Sequence, residues 1–134
     1  MSVIPFKAVP RPGKAMANIG LLGPFQLSYD EINKAVPKKG PGAFALGHKG
    51  PDGRFYISFV GRADTDIRDR LLNLIGSGNL FKYRFTPTTE AAFHAECELF
   101  HGFRPPGNHM HPDRPAGTNW ECPQCRFFRL QGKA

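Results

Sequence analysis

The spacing of apolar positions changes along the chain, and each change marks an element. Ala43 to Leu46 and Arg54 to Val60 read as two strands, joined by the turn-rich stretch Gly47-His-Lys-Gly-Pro-Asp-Gly53. After Gly61 the period lengthens, with Ile67, Leu71, Leu74 and Ile75 at i, i+4, i+7 and i+8. That stripe predicts a helix starting near Asp64 to Asp66 and stopping at Gly76. Phe81-Lys-Tyr-Arg-Phe85 alternates as a third strand, and Thr88 or Thr89 caps a second long helix running to about Phe103. Upstream, Ser28-Tyr-Asp-Glu31 has the form of a capping box and opens a short helix ending before Pro37.

The flanks lack such periods. Residues 1–27 are rich in Pro and Gly and read as an irregular arm, pinned by Phe6 and Phe25. From Arg104 onward Pro, Gly, His and Cys dominate, as in a loop held by something other than an apolar core. The expected fold is α+β: a small three-stranded antiparallel sheet flanked by helices, in the order β-β-α-β-α. The division is an arm at 1–27, a domain at 28–108 and a Cys/His tail at 109–134 packed on the core.

Composition narrows the partners. A chain of 134 residues supports one domain, and its 18 Lys and Arg outnumber 11 Asp and Glu for a net charge of +7. Such a balance favours polyanions, nucleic acid first. Three cysteines, two of them in Cys122-Pro-Gln-Cys125, suit a reduced compartment and a metal better than a disulfide framework. No apolar run is long enough to span a membrane and the opening residues carry no apolar leader, so a soluble, cytoplasmic protein is expected.

Two charged residues sit oddly. On a helical wheel Ala92, Phe93, Leu99, Phe100 and Phe103 form the apolar stripe of the second long helix, and Glu96 falls inside it. A carboxylate there is costly unless it pairs with a neighbouring Arg, snorkels at the edge or binds a metal. Arg70 flanks the stripe of the first long helix beside Ile67 and Leu74, where its stem could simply cover an apolar edge. A carboxylate that holds a divalent ion and a guanidinium that clamps phosphate oxygens are what phosphodiester cleavage requires.

These residues resemble the GIY-YIG nuclease superfamily. Gly42-Ala43-Phe44 resembles its first motif and Phe59-Val60-Gly61-Arg62 its second; Arg70 matches the helix arginine, Glu96 the metal ligand and Asn108 the trailing asparagine. The match spans residues 42–108, and the stretch Glu96-Cys-Glu-Leu-Phe-His with the later His-Pro and Cys-Pro-x-Cys is similar to small stand-alone bacterial members. The resemblance implies an endonuclease that cleaves a DNA phosphodiester with Mg²⁺ or Mn²⁺ at Glu96. Arg70 would stabilise the phosphate, Arg62 contact the backbone or polarise the water, and Asn108 order the site. Arg68 is a minor contender for the role of Arg70. Both signature tyrosines are phenylalanine here, Phe44 and Phe59, so a nucleic-acid-binding module on a degenerate scaffold is the rival. A zinc-stabilised protein-interaction domain is a third reading. Alternation puts Phe59 on the face of Phe55 and Ile57, with Tyr56 opposite.

The tail carries its own chemistry. Thiolates spaced as in Cys122-Pro-Gln-Cys125 grip one tetrahedral Zn²⁺, which needs two further ligands. Cys97 and His101, at i and i+4 on the second long helix, are the favoured pair, with His111 as substitute or outer partner. The same residues could equally be a free, reduced CxxC beside surface histidines. Trp120 would pack over the metal or stack on a base.

Overall fold

The structure, a computed structural model, describes residues 20–128; the expected path of residues 1–19, with Phe6, and the last six residues lie outside the described residues. Seven elements follow in order: β1 (Leu22–Gln26), α1 (Tyr29–Ala35), β2 (Gly42–Lys49), β3 (Phe55–Ala63), α2 (Ile67–Leu72), β4 (Leu80–Phe85) and α3 (Thr89–Phe103). The caps are those the sequence signals. Ser28 accepts from the Glu31 amide at 3.3 Å and Thr88 from the Ala91 amide at 3.0 Å, each meeting a donor that the helix itself leaves unpaired.

The sheet has four strands, not the expected three, in the order β1-β4-β2-β3, and every pairing is antiparallel. The added strand lies inside the stretch expected to be irregular. Its Gly23-Pro24 step reads as a breaker, yet a proline is tolerated on an edge strand, where its missing N–H costs no ladder bond. Phe25 does pin this segment, its ring 5.4 Å from that of Phe81. The first long helix is shorter than its stripe suggested. It ends at Leu72 and gives way to tight turns, leaving Ile75 exposed rather than packed.

Helices cover both faces. Ile32 of α1 with Ile67 and Leu71 of α2 pack on Phe44, Leu46 and Phe81. On the other face Ala95, Leu99 and Phe103 of α3 pack on Ala43, Ala45, Ile57 and Val60. Gly61 is required by this packing, because a Cβ there would stand 2.5 Å from the Phe44 ring tip, its partner across the ladder. Among the described residues no helix is long and apolar enough to cross a membrane.

A bulge in β3 changes which residues share a face. Leu46 pairs with Phe59 but Gly47 pairs with Ile57, so Ser58 is the extra residue. Strict alternation therefore fails between Ile57 and Phe59. Ile57 packs under α3, whereas Phe59 packs against the cluster of the opposite face. The expectation that Phe59 shares a face with Phe55 and Ile57 is thus corrected. Tyr56 falls on the same side as Phe59, though it spends its hydroxyl on Asp52 at the hairpin tip.

Strand β3 is also a sheet edge, and the chain leaving α3 closes it. The Gly107 amide donates to the Ser58 carbonyl at 2.7 Å. Asn108 accepts from the Val60 amide at 2.8 Å and donates back to the Val60 carbonyl at 2.9 Å, standing in for a fifth strand. Since Val60 is fully buried, Asn108→Ala leaves two backbone groups unmet and should cost about 2 kcal/mol in urea unfolding of the full chain. A loss below about 0.5 kcal/mol would show that this clamp does not hold the edge.

Candidate functional site

Two constellations stand next to each other at the β3 edge. The first is a cleft of about 490 Å³ at the C-terminal end of β3. Phe59, Arg62, Arg70 and Glu96 all line it, although Arg70 comes from α2 on one face and Glu96 from α3 on the other. The edge position makes this possible, since residues from both faces can meet where the sheet ends. Five carboxylates, those of Asp64, Asp66, Asp69, Glu96 and Asp113, share the cleft with the two arginines.

Arg62 is the most connected of these side chains. Its Nε donates to Asp64 Oδ1 and its Nη1 to Glu96 Oε1, each at 2.7 Å, and Nη1 also reaches the Asp113 carbonyl. The guanidinium lies 5.4 Å from the centre of the Phe93 ring. Glu96 is thus buried and paired with a neighbouring arginine, one of the ways its place in an apolar stripe can be tolerated. Burial, the strongest influence, raises the Glu96 carboxyl above its ordinary range, while Arg62 and more weakly Arg70 pull it back. For Arg62 burial works downward, but its contacts with Asp64 and Glu96 carry it above its ordinary value.

The remaining predicted residues stand outside the cleft lining. Phe44 is fully buried beneath Gly61, with its ring 6.4 Å from that of Phe59. Asn108 bonds Val60 at the sheet edge and is not among the residues lining the cleft. Arg68 shares α2 with Arg70 but is not among the residues lining the cleft. Asp64, Asp69 and Asp113 were not singled out from the sequence. Asp64 lies where the helix start is expected and Asp69 on the water-facing side of that helix, which accounts for their charge, and nothing in the sequence marks Asp113 beyond its place after His111-Pro112.

The second constellation is a metal-binding group. His101, His111, Cys122 and Cys125 each offer one ligand atom, all within 4.8 Å of one another, and together they can hold a metal ion. His111 Nε2 lies 3.3 Å from His101 Nε2 and 3.3 Å from Cys125 Sγ. Such separations suit a tetrahedral ion, whose ligand-to-ligand edges are about 3.3–3.8 Å. The outer contacts fit as well. His111 Nδ1 meets the Pro112 carbonyl at 2.8 Å, leaving Nε2 to face the group, and its ring stacks on Phe127 at 4.4 Å. Backbone amides of Gln124 and Phe127 donate to the two sulfurs.

The favoured ligand Cys97 is therefore replaced by its alternative, His111. Cys97 is fully buried in an apolar cluster with Phe93, Cys122 and Phe128, and burial first, Cys122 second, pushes its thiol well above the usual range. Burial also lowers the His101 pKa, with His111 next, which keeps the imidazole neutral as a ligand must be. Trp120 packs toward Phe93, with ring centres 6.4 Å apart, beside the apolar cluster of Phe93, Cys97, Cys122 and Phe128.

The chain matches no protein-family model, no curated protein and no solved structure.

The ligand assignment makes a spectroscopic prediction. Co²⁺ added to metal-free protein should give a tetrahedral spectrum with sulfur charge-transfer bands, intact in Cys97→Ser and lost in Cys125→Ser or His111→Ala. Loss in Cys97→Ser with retention in His111→Ala would reverse the assignment.

Proposed function

We propose that this protein is a metal-dependent endonuclease of GIY-YIG type that cleaves DNA phosphodiesters, with a structural zinc in its His/Cys centre. The observation that carries the reading is the convergence of Arg62, Arg70 and Glu96 on one cleft from opposite faces of the sheet. The resemblance had named all three from sequence order.

The cleft's donors fit a hard divalent ion. Glu96 shares the cleft with Asp64 and Asp113, and oxygen donors of this kind suit Mg²⁺ or Mn²⁺. Glu96 would hold the ion, which when bound supplies Lewis acidity toward a phosphate oxygen and acidifies water. The remaining work belongs to the chain. Arg70, exposed on the cleft wall, binds the scissile phosphate and meets the charge that grows on its oxygens. Arg62, held by Asp64 and Glu96, sets the direction of the Glu96 carboxylate and adds positive charge at the cleft floor. Asn108 holds the β3 edge at Val60, two residues before Arg62.

In the second constellation two thiolates and two imidazoles match zinc's preference for sulfur and nitrogen. The ion would order a tail too rich in Pro and Gly to pack by itself.

One observation favours a second reading, a binding module on the same scaffold. Phe59 lines the cleft where the family places a tyrosine, and it offers no hydroxyl to handle a proton.

Relaxed plasmid formed from supercoiled substrate with Mg²⁺ or Mn²⁺, against an EDTA control, tests the proposal. Glu96→Gln should abolish cleavage while binding persists, and Phe59→Tyr should raise the rate, by up to about 10²–10⁴ where such a group acts in the transition state. Salt-sensitive binding without cleavage by any variant, Phe59→Tyr included, would establish the binding module instead. Cleavage by Glu96→Gln at the wild-type rate would refute the site.

A further inference from the structure

The two constellations are separated by a single residue of chain, Pro112. His111 is a ligand of the metal-binding group, and Asp113 lines the cleft, where its carbonyl accepts from Arg62 Nη1. The same Nη1 binds Glu96 Oε1, so one guanidinium nitrogen is shared between the tail and the proposed metal ligand. The segment that presents Asp113 meets α3 through His111, whose ring lies 5.4 Å from that of Phe100, and otherwise leans on the rest of the tail. Arg114 donates to the Trp120 carbonyl at 3.0 Å and lies 4.7 Å from the centre of the Phe128 ring. His111 stacks on Phe127. Each of these tail partners lies between Trp120 and Phe128, the part that carries Cys122 and Cys125.

We infer that Asp113 is a positioning residue for the cleft, delivered by the His/Cys centre, so that metal occupancy there sets the alignment of Arg62 with Glu96. Through its main-chain carbonyl Asp113 fixes the third side of a guanidinium whose other hydrogen bonds go to Asp64 and Glu96. Loss of the ion releases His111 from His101 on α3. The carbonyl then leaves Nη1, and Arg62 is free to swing toward Asp64. The sheet and its two apolar clusters do not depend on this contact. The centre is therefore part of the cleft's architecture as well as a staple for the tail.

The inference rests on the reading of the cleft as a divalent-ion site, and its test separates the two. The full-length zinc-loaded chain is titrated with Mn²⁺, followed by the paramagnetic signal of the free ion. The comparison is a variant with one glycine inserted between Pro112 and Asp113, which keeps all four ligands but displaces the carbonyl. Outer contacts of this kind are worth about tenfold or more in ion affinity, so the insertion should weaken Mn²⁺ binding by about that factor. Zinc content and melting temperature should not change. Stripping zinc from the wild-type chain should have the same effect on Mn²⁺. Equal Mn²⁺ affinity in wild type and in a zinc-loaded insertion variant would overturn the inference.

If the wild-type chain binds no Mn²⁺, the divalent-ion reading fails, and the Nε–H resonance of Arg62 decides the inference alone. Faster exchange of that proton in the insertion variant than in wild type upholds the coupling. An unchanged rate overturns it.

Discussion

The contact on which this architecture turns is the 2.7 Å ion pair between Arg62 and Glu96. Both side chains are nearly out of water, at 12% and 11% exposure, and a charge in such a place is tolerated only with its partner. Arg62 extends from the last strand of the sheet, and Glu96 lies in the middle of the helix covering one face. Their bond ties the sheet edge to α3. Asp64 and the Asp113 carbonyl then complete the guanidinium's partners, bringing in the β3–α2 connection and the tail. Removing either member would leave the other buried and uncompensated, which is why a charged pair persists where apolar residues could pack.

The pair works because β3 is an edge. An interior strand would have a neighbour where the cleft now opens, and Arg70 and Glu96 could not approach each other around it. Edges carry unpaired backbone groups, however, and this one is managed. The bulge at Ser58 bends the strand, while Gly107 and Asn108 supply the bonds that a further strand would make. Gly107 fits because a Cβ there would stand 2.5 Å from the Ser58 carbonyl. The α3 exit loop thus seals the edge just before the strand reaches Gly61 and the cleft.

How far the sequence discloses all this depends on what kind of interaction decides each feature. Local rules read well: the Ser28 and Thr88 caps, the alternation of β4, and the wheel position that exposes Glu96 as an anomaly. Features decided by a partner distant in sequence read poorly. Strand β1 was hidden because Gly23-Pro24 breaks a local pattern, whereas the edge it occupies is a property of the sheet. Ser58 carries no bulge signature, and counting by twos across it sent Phe59 to the wrong face. Cys97 and His111 were both open as ligands, and the choice fell to His111 through its stacking on Phe127 and its bond to Pro112. Arg62 was read as a contact to the nucleic-acid backbone or to the attacking water, but its role in fixing Glu96 emerges only from the fold.

A double-mutant cycle on the zinc-loaded protein, with no Mg²⁺ or Mn²⁺ added, tests the central pair most directly. Unfolding free energies of wild type, Arg62→Met, Glu96→Gln and the double variant, measured at neutral pH, isolate the coupling between the two side chains. The account expects a coupling of about 1–3 kcal/mol, with the double variant less destabilised than the sum of the single ones. Additive losses would contradict it, because they would mean that Arg62 and Glu96 are held independently and that the cleft is not organised around their bond.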